Sequence, residues 1–138
     1  MVVIDRKTKE NKRFSLVARL RSANHAWRGL GIVFRTTHNL WLQIIFGVLA
    51  IYAGFVLQIS ITEWLFLVCA IGLVVITETL NTAFEVDIDL TSPEFHPYAR
   101  DTKDIAAGAV LLAVLLAVVV GGIIFIPKVL PLFNNLFS

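Results

Sequence analysis

Residues Thr77–Leu90 read TETLNTAFEVDIDL, directly after Trp64–Ile76, WLFLVCAIGLVVI, which carries no charge. An apolar run of this kind, extended to Phe84, reaches the ~20 residues that a bilayer-crossing helix needs. Ionisable side chains inside such a helix are costly in hydrocarbon, so Glu78 and its neighbours should face a bundle interior or a wet cavity near the membrane surface. At the helical period Glu78, Asn81, Glu85 and Asp89 fall within one stripe less than about 90° wide, while Asp87 points to the opposite side. Glu78 and Glu85 stand two turns apart, roughly 10 Å along the axis. Carboxylates with one amide make a hard-oxygen surface of the kind Mg²⁺ accepts, completed by phosphates and water. Glu78 lies deepest in the apolar run, a place that suits a general base. The competing reading, that the acids only cap and solvate a helix end, stays open for Asp87 and Asp89.

The chain has 138 residues, 57% hydrophobic and 16% charged. That length suits one domain, and that hydropathy places it in the membrane class. Two further runs can span: Leu40–Ile59, interrupted only by Gln43 and Gln58, and Ile105–Ile126, with no charge. The short SIT connection predicts a tight antiparallel hairpin between the first two spans. The second connection is longer and polar, with Pro93 and Pro97 as breakers. Cys69 lies inside an apolar run and reads as a small buried hydrophobe. No cleavable signal peptide is expected, because the first apolar run begins only near Leu40.

Upstream, Leu16, Leu20, Ala23, Trp27, Leu30 and Phe34 step along one helical face. Arg21, Arg28 and Arg35 form a stripe about 120° away. That pattern suits a helix lying flat on an anionic bilayer, or a soluble helix packed on a partner. Nine of the twelve Lys and Arg precede Leu40, and Arg100 and Lys103 lie in the second connection. The positive-inside rule then puts the N-terminus, the second connection and the acidic stripe on the cytoplasmic side. The expected architecture is an all-α membrane protein: a polar N-terminus over 1–13, then a domain over 14–126. Within that domain lie a surface helix over 14–35 and spans over 40–59, 64–86 and 103–126. Pro127 and Pro131 predict an interfacial tail over 127–138.

ETLNTAFEVDID, Glu78–Asp89, resembles the E-x-L-N-[ST]-A-x-E-x-x-x-D signature of the prokaryotic diacylglycerol kinase and undecaprenol kinase family. AWRGL, EFHP and KDIAAGAVLL resemble further family segments, and together the resemblance covers about Phe14–Ile126. It implies a bacterial inner-membrane homotrimer, with active sites shared between subunits, that transfers the γ-phosphate of MgATP to a lipid hydroxyl. No nucleic-acid partner is expected. Carried over on the matching positions, Glu78 would be the base, Glu85 would hold the metal that bridges the ATP phosphates, and Asn81 would orient these groups. Lys103 and Asp104 would engage the nucleotide, with Glu94, Phe95 and His96 against ATP and His25 a nucleotide contact on the surface helix. Ala107 corresponds to a small residue near the lipid.

Several of these positions have plain alternatives. His96 can be a loop residue, His25 interfacial, and Lys103 and Asp104 a helix-start snorkel and cap. Ala106–Ala109 can be small-residue packing. One position departs from the family: where a glutamate usually supplies a second metal carboxylate, this chain has Thr37, and no acid occurs between Glu10 and Glu63. A hydroxyl from Thr37 or an imidazole from His38 is what remains there. Phe84 also replaces the usual aliphatic residue. The segment HPYARDTKDIAAGAVLL, His96–Leu112, looks closer to the undecaprenol branch than to the diacylglycerol branch. A non-catalytic membrane scaffold of the same fold is the alternative to a kinase. An ion-coupled transporter is a third reading, against which the absence of an inverted repeat counts.

Overall fold

The computed structural model describes residues 16–136, all four of its elements helical: α1 Leu16–Thr36, α2 His38–Val56, α3 Ile61–Thr91 and α4 Pro97–Leu136. The expected polar segment over 1–13 lies outside the described residues. Two compact units divide within α1, after Ile32. In the first, Leu20 and Trp27 of the apolar stripe on α1 are exposed.

In the second unit α3 is the central element, packing mainly on α4 and more sparsely on α2. α2, α3 and α4 are each long and apolar enough to cross a membrane. Most of the surface of each span is exposed in the single chain, as expected of helices solvated by lipid or by other subunits.

The α2–α3 hairpin is closed by backbone chemistry that its sequence permits. Gln58 adopts a left-handed φ of 50°. Its N–H donates to Phe55 O at 3.3 Å, and the Ile59 N–H donates to Gly54 O at 3.1 Å. These are the two bonds of a Schellman ending, which satisfy the last carbonyls of α2. Ser60 then caps α3 reciprocally with Glu63: the Ser60 N–H donates to Glu63 Oε2 at 2.6 Å, and the Glu63 N–H to Ser60 Oγ at 3.3 Å. Gly54 is required by the close approach, since a Cβ there would lie 2.9 Å from the Trp64 ring. Ile59, Leu67 and Ile124 form the buried cluster below this turn, and Lys128 on α4 pairs with Glu63 at 3.2 Å.

The helices extend beyond the apolar runs. α3 starts at Ile61 rather than Trp64, because the Ser60 cap sets its beginning, and it continues through the acidic stripe to Thr91. α4 begins at Pro97, a residue suited to the first helical position because its missing N–H would have no partner there. It runs on through Pro127 and Pro131 to Leu136. At about 1.5 Å per residue, α3 is about 46 Å long, more than the ~30 Å hydrocarbon core.

Candidate active site

Glu78 is the anchor of the site. It is 2% exposed, and its carboxylate is held from α2. Gln43 Nε2 donates to Glu78 Oε2 at 2.7 Å, and Asn39 Nδ2 lies 3.3 and 3.4 Å from the two oxygens. Asn39 and Gln43 are four residues apart, so one face of α2 presents both amides to the same acid. A buried carboxylate needs such donors, and ionised acceptors make the stronger hydrogen bonds.

One turn on, Asn81 Nδ2 donates to Glu85 Oε1 at 2.9 Å. Asn81 Oδ1 is buried and has no partner. Thr82 Oγ1 donates to Glu78 O at 3.0 Å and lies 2.9 Å from Thr37 Oγ1. A hydroxyl has one proton, and that of Thr82 is spent on the carbonyl, so Thr37 donates to Thr82. Thr37 is the single-residue break between α1 and α2, and its side chain makes no capping bond to α2. The corner is braced by Trp41, whose Nε1 donates to Phe34 O at 3.0 Å.

A cleft brings these groups together. Thr37, His38 and Asn39 line it from the α2 side, and Glu78, Asn81, Thr82, Glu85 and Asp89 from α3. The stripe read from periodicity is therefore one wall of a cavity, with Asp87 exposed and not among the lining residues. Lys103 reaches from α4 to pair with Asp89 at the same end, and Arg100 pairs with Asp104 at 3.6 Å on the exposed start of α4. Glu94, Phe95 and His96 form the exposed connection between α3 and α4, with the His96 ring 5.6 Å from that of Tyr98. Neither these three, nor Asp104, nor Ala107 lines the cleft. His25 is exposed on α1 in the first unit.

A second cavity lies beside the first, within the membrane-spanning part. It is an apolar groove lined from α2 by Phe46, Gly47 and Ala50, from α3 by Ile71 and Val74, and from α4 by Val118 and others. Gln43 lines it too and is the one polar side chain among its lining residues. Asn39, Gln43 and Thr82 carry no role in the sequence reading. The only signal for Gln43 was an amide interrupting an apolar run, and Thr82 stood unassigned inside the signature.

The donor set fits a divalent ion in a particular way. Among the described residues no three His, Cys, Asp or Glu side chains gather closely enough to hold one alone. Glu85 with the unpartnered Asn81 Oδ1 and the Thr37 hydroxyl offers oxygen donors, but few charges. Mg²⁺ commonly takes one or two carboxylates and completes its shell with water and substrate phosphates, so the arrangement fits an ion that arrives with a nucleotide.

The prokaryotic diacylglycerol kinase family model matches residues 24–125. The chain is 36% identical over 104 residues to the undecaprenol kinase of Bacillus subtilis, covering 75% of this chain and 85% of that one. It is 40% identical over 112 residues to a diacylglycerol kinase of Synechocystis, covering 80% of this chain and 64% of the relative. Similarity to the diacylglycerol kinase of Escherichia coli K12 is 27% over 100 residues. A match that spans most of the chain, and that includes every residue of the cleft wall, leaves one assignment: the chain belongs to the prokaryotic diacylglycerol kinase family.

Proposed function

We propose that this protein, an ATP-dependent membrane lipid kinase by family, phosphorylates a polyprenol, undecaprenol in particular, at the cleft around Glu78. The observation that carries the site is the carboxylate of Glu78, buried at 2% exposure on the polar cleft and gripped by two amides, one of which, Gln43, also lines the apolar groove. A lipid alcohol has that same division: a long apolar tail and one hydroxyl. In the transfer the lipid oxygen attacks the γ-phosphorus, the bond from that phosphorus to the β,γ-bridging oxygen breaks, and ADP leaves. Glu78 takes the hydroxyl proton. Phosphoryl transfer depends on positioning and charge neutralisation more than on covalent catalysis, so a site built from hydrogen-bonded carboxylates is adequate to it.

Glu85, Asn81 and the Thr37 hydroxyl are the residues that would hold Mg²⁺, which when bound neutralises phosphate charge. Asn81 keeps Glu85 oriented through its amide N–H. Lys103, paired with Asp89 until nucleotide arrives, is a point charge for phosphate. The resemblance supports a nucleotide role for Asp104, Glu94, Phe95, His96 and His25 and a lipid role for Ala107; the first four cluster in the connection and at the exposed start of α4. The distribution of Lys and Arg favours a cleft facing the cytoplasm. The exposed flanks of the three spans leave surface for neighbouring copies in a homotrimer.

The polyprenol rests on the resemblance of His96–Leu112 and on the B. subtilis relative. The Synechocystis relative favours diacylglycerol as the second reading. Purified protein in mixed micelles with MgATP, offered undecaprenol and diacylglycerol in parallel, tests the choice. Faster phosphorylation of undecaprenol at equal mole fraction is expected. A preference for diacylglycerol overturns the polyprenol, and no turnover of either favours a non-catalytic scaffold.

A further inference from the structure

Gln43 is the one residue shared by the apolar groove and the shell around Glu78. Its two amide atoms have different fates. Nε2 is committed to Glu78 Oε2 at 2.7 Å. Oε1 is buried and has no partner. The orientation follows from charge, because a carbonyl oxygen turned to a carboxylate would repel it. An unsatisfied buried acceptor is costly, by about 1–3 kcal/mol in general, and such groups call for an explanation. No side chain of the groove that Gln43 lines can donate to it, since every other lining side chain is apolar or absent.

We propose that Gln43 is a positioning residue for the acceptor alcohol. Its Oε1 accepts a hydrogen bond from the hydroxyl of a lipid whose tail occupies the groove, while its Nε2 keeps the Glu78 carboxylate beside that hydroxyl. Rotation about the alcohol C–O bond then passes the same proton from Gln43 Oε1 to Glu78 as the oxygen attacks phosphorus. Docking and deprotonation are thus linked through one amide. This rests on the lipid-kinase reading, but it makes a claim about binding that can be read without turnover.

The test compares the parent, Gln43→Met and Gln43→His in detergent micelles. Met preserves length and apolar fit and removes an unsatisfied oxygen together with the amide donor. His restores a donor and an acceptor on one ring. Two quantities are read: equilibrium binding of farnesol, a short-chain prenol, without nucleotide by titration calorimetry, and steady-state kinetics with MgATP. Expected for Gln43→Met are farnesol binding weakened by at least about threefold, kcat lowered by at least about tenfold and an unchanged KM for ATP. Gln43→His should recover part of both losses. Unchanged farnesol affinity in Gln43→Met, or a His variant no better than Met in farnesol binding, overturns the proposal. A parent that binds farnesol but does not turn over would count against the kinase reading alone, with the binding comparison still deciding the role of Gln43.

Discussion

The hydroxyl of Thr37 is donated to Thr82 across 2.9 Å, from the α1–α2 break to the helix that carries Glu78. Thr82 in turn donates its hydroxyl to the carbonyl oxygen of Glu78 at 3.0 Å. The residue that stands where relatives are expected to offer a metal carboxylate is therefore engaged in a hydroxyl chain that ends on the backbone of the proposed base. Its remaining lone pairs are what it can present to the cleft. The site is thereby poorer in charge than the family pattern implies, and the α1–α2 break is tied to α3 through that hydroxyl.

Replacing the base is the most direct test of the cleft. Glu78→Gln keeps the shape but cannot take a proton. It also turns an acceptor facing two amide donors into a group that is half donor, which disturbs Asn39 and Gln43. A fall in kcat of at least about a hundredfold is expected, with nucleotide affinity nearly unchanged. Steady-state kinetics with a separate nucleotide-binding measurement decides it; turnover within a factor of about ten of the parent would move the base elsewhere.

Glu85 makes a different prediction, because it holds no proton in transit. With Glu85→Gln the cleft loses the carboxylate that Asn81 orients at 2.9 Å. The Mg²⁺ concentration for half-maximal rate should rise by roughly tenfold or more, as expected when one of few charged ligands is lost. An unchanged Mg²⁺ dependence would place the ion away from this residue.

The acidic wall of the cleft was legible because it depends on periodicity within one helix. Glu78, Asn81, Glu85 and Asp89 share a face whatever packs against it, and the cleft confirms that face. The grip of Asn39 and Gln43 was not legible, since it depends on the register of α2 against α3, which no spacing within either helix encodes. The helix ends were also poorly marked by apolarity. A helix propagates through backbone hydrogen bonds, so α3 runs on through its acids to Thr91, and α4 tolerates Pro97 at its first residue. Ser60 followed by Glu63 was a readable start signal that the apolar run outweighed.

Gly54 separates stability from chemistry. It lies at the hairpin, where a Cβ would come within 2.9 Å of the Trp64 ring and 3.0 Å of Ile59. Gly54→Ala forces the ring or the turn to shift, and overpacking of this kind typically costs about 1–3 kcal/mol. The thermal midpoint in detergent should fall, while KM for ATP stays unchanged because the hairpin is at the opposite end of α3 from Glu85 and Asp89. A raised midpoint would mean that the added helix propensity of alanine outweighs the contact.

The last prediction restores the acid at the departure from the family. Thr37→Glu removes the hydroxyl donated to Thr82 and brings a carboxylate to a cleft already holding Glu78, Glu85 and Asp89. Without a bound ion those charges repel, so the variant should be less stable than the parent at low Mg²⁺. With an ion the added oxygen becomes a charged ligand, and a charge-assisted contact in a partly wet site contributes on the order of 1–3 kcal/mol. At about 1.4 kcal/mol per decade, this is roughly tenfold to a hundredfold in metal affinity. The Mg²⁺ requirement of Thr37→Glu should therefore shift down by that range, and its thermal midpoint should become more dependent on Mg²⁺ with nucleotide than the parent's. Thr37→Val is the comparison: it breaks the bond to Thr82 and removes the hydroxyl oxygen without adding charge, so it should lose stability even without Mg²⁺, and its Mg²⁺ requirement should rise rather than fall. Titrating Mg²⁺ against initial rate and against thermal midpoint for all three proteins decides the matter. If the glutamate variant shows no leftward shift, or slows at saturating Mg²⁺, Thr37 is not standing in for a metal ligand, and its bond to Thr82 is its whole contribution to the site.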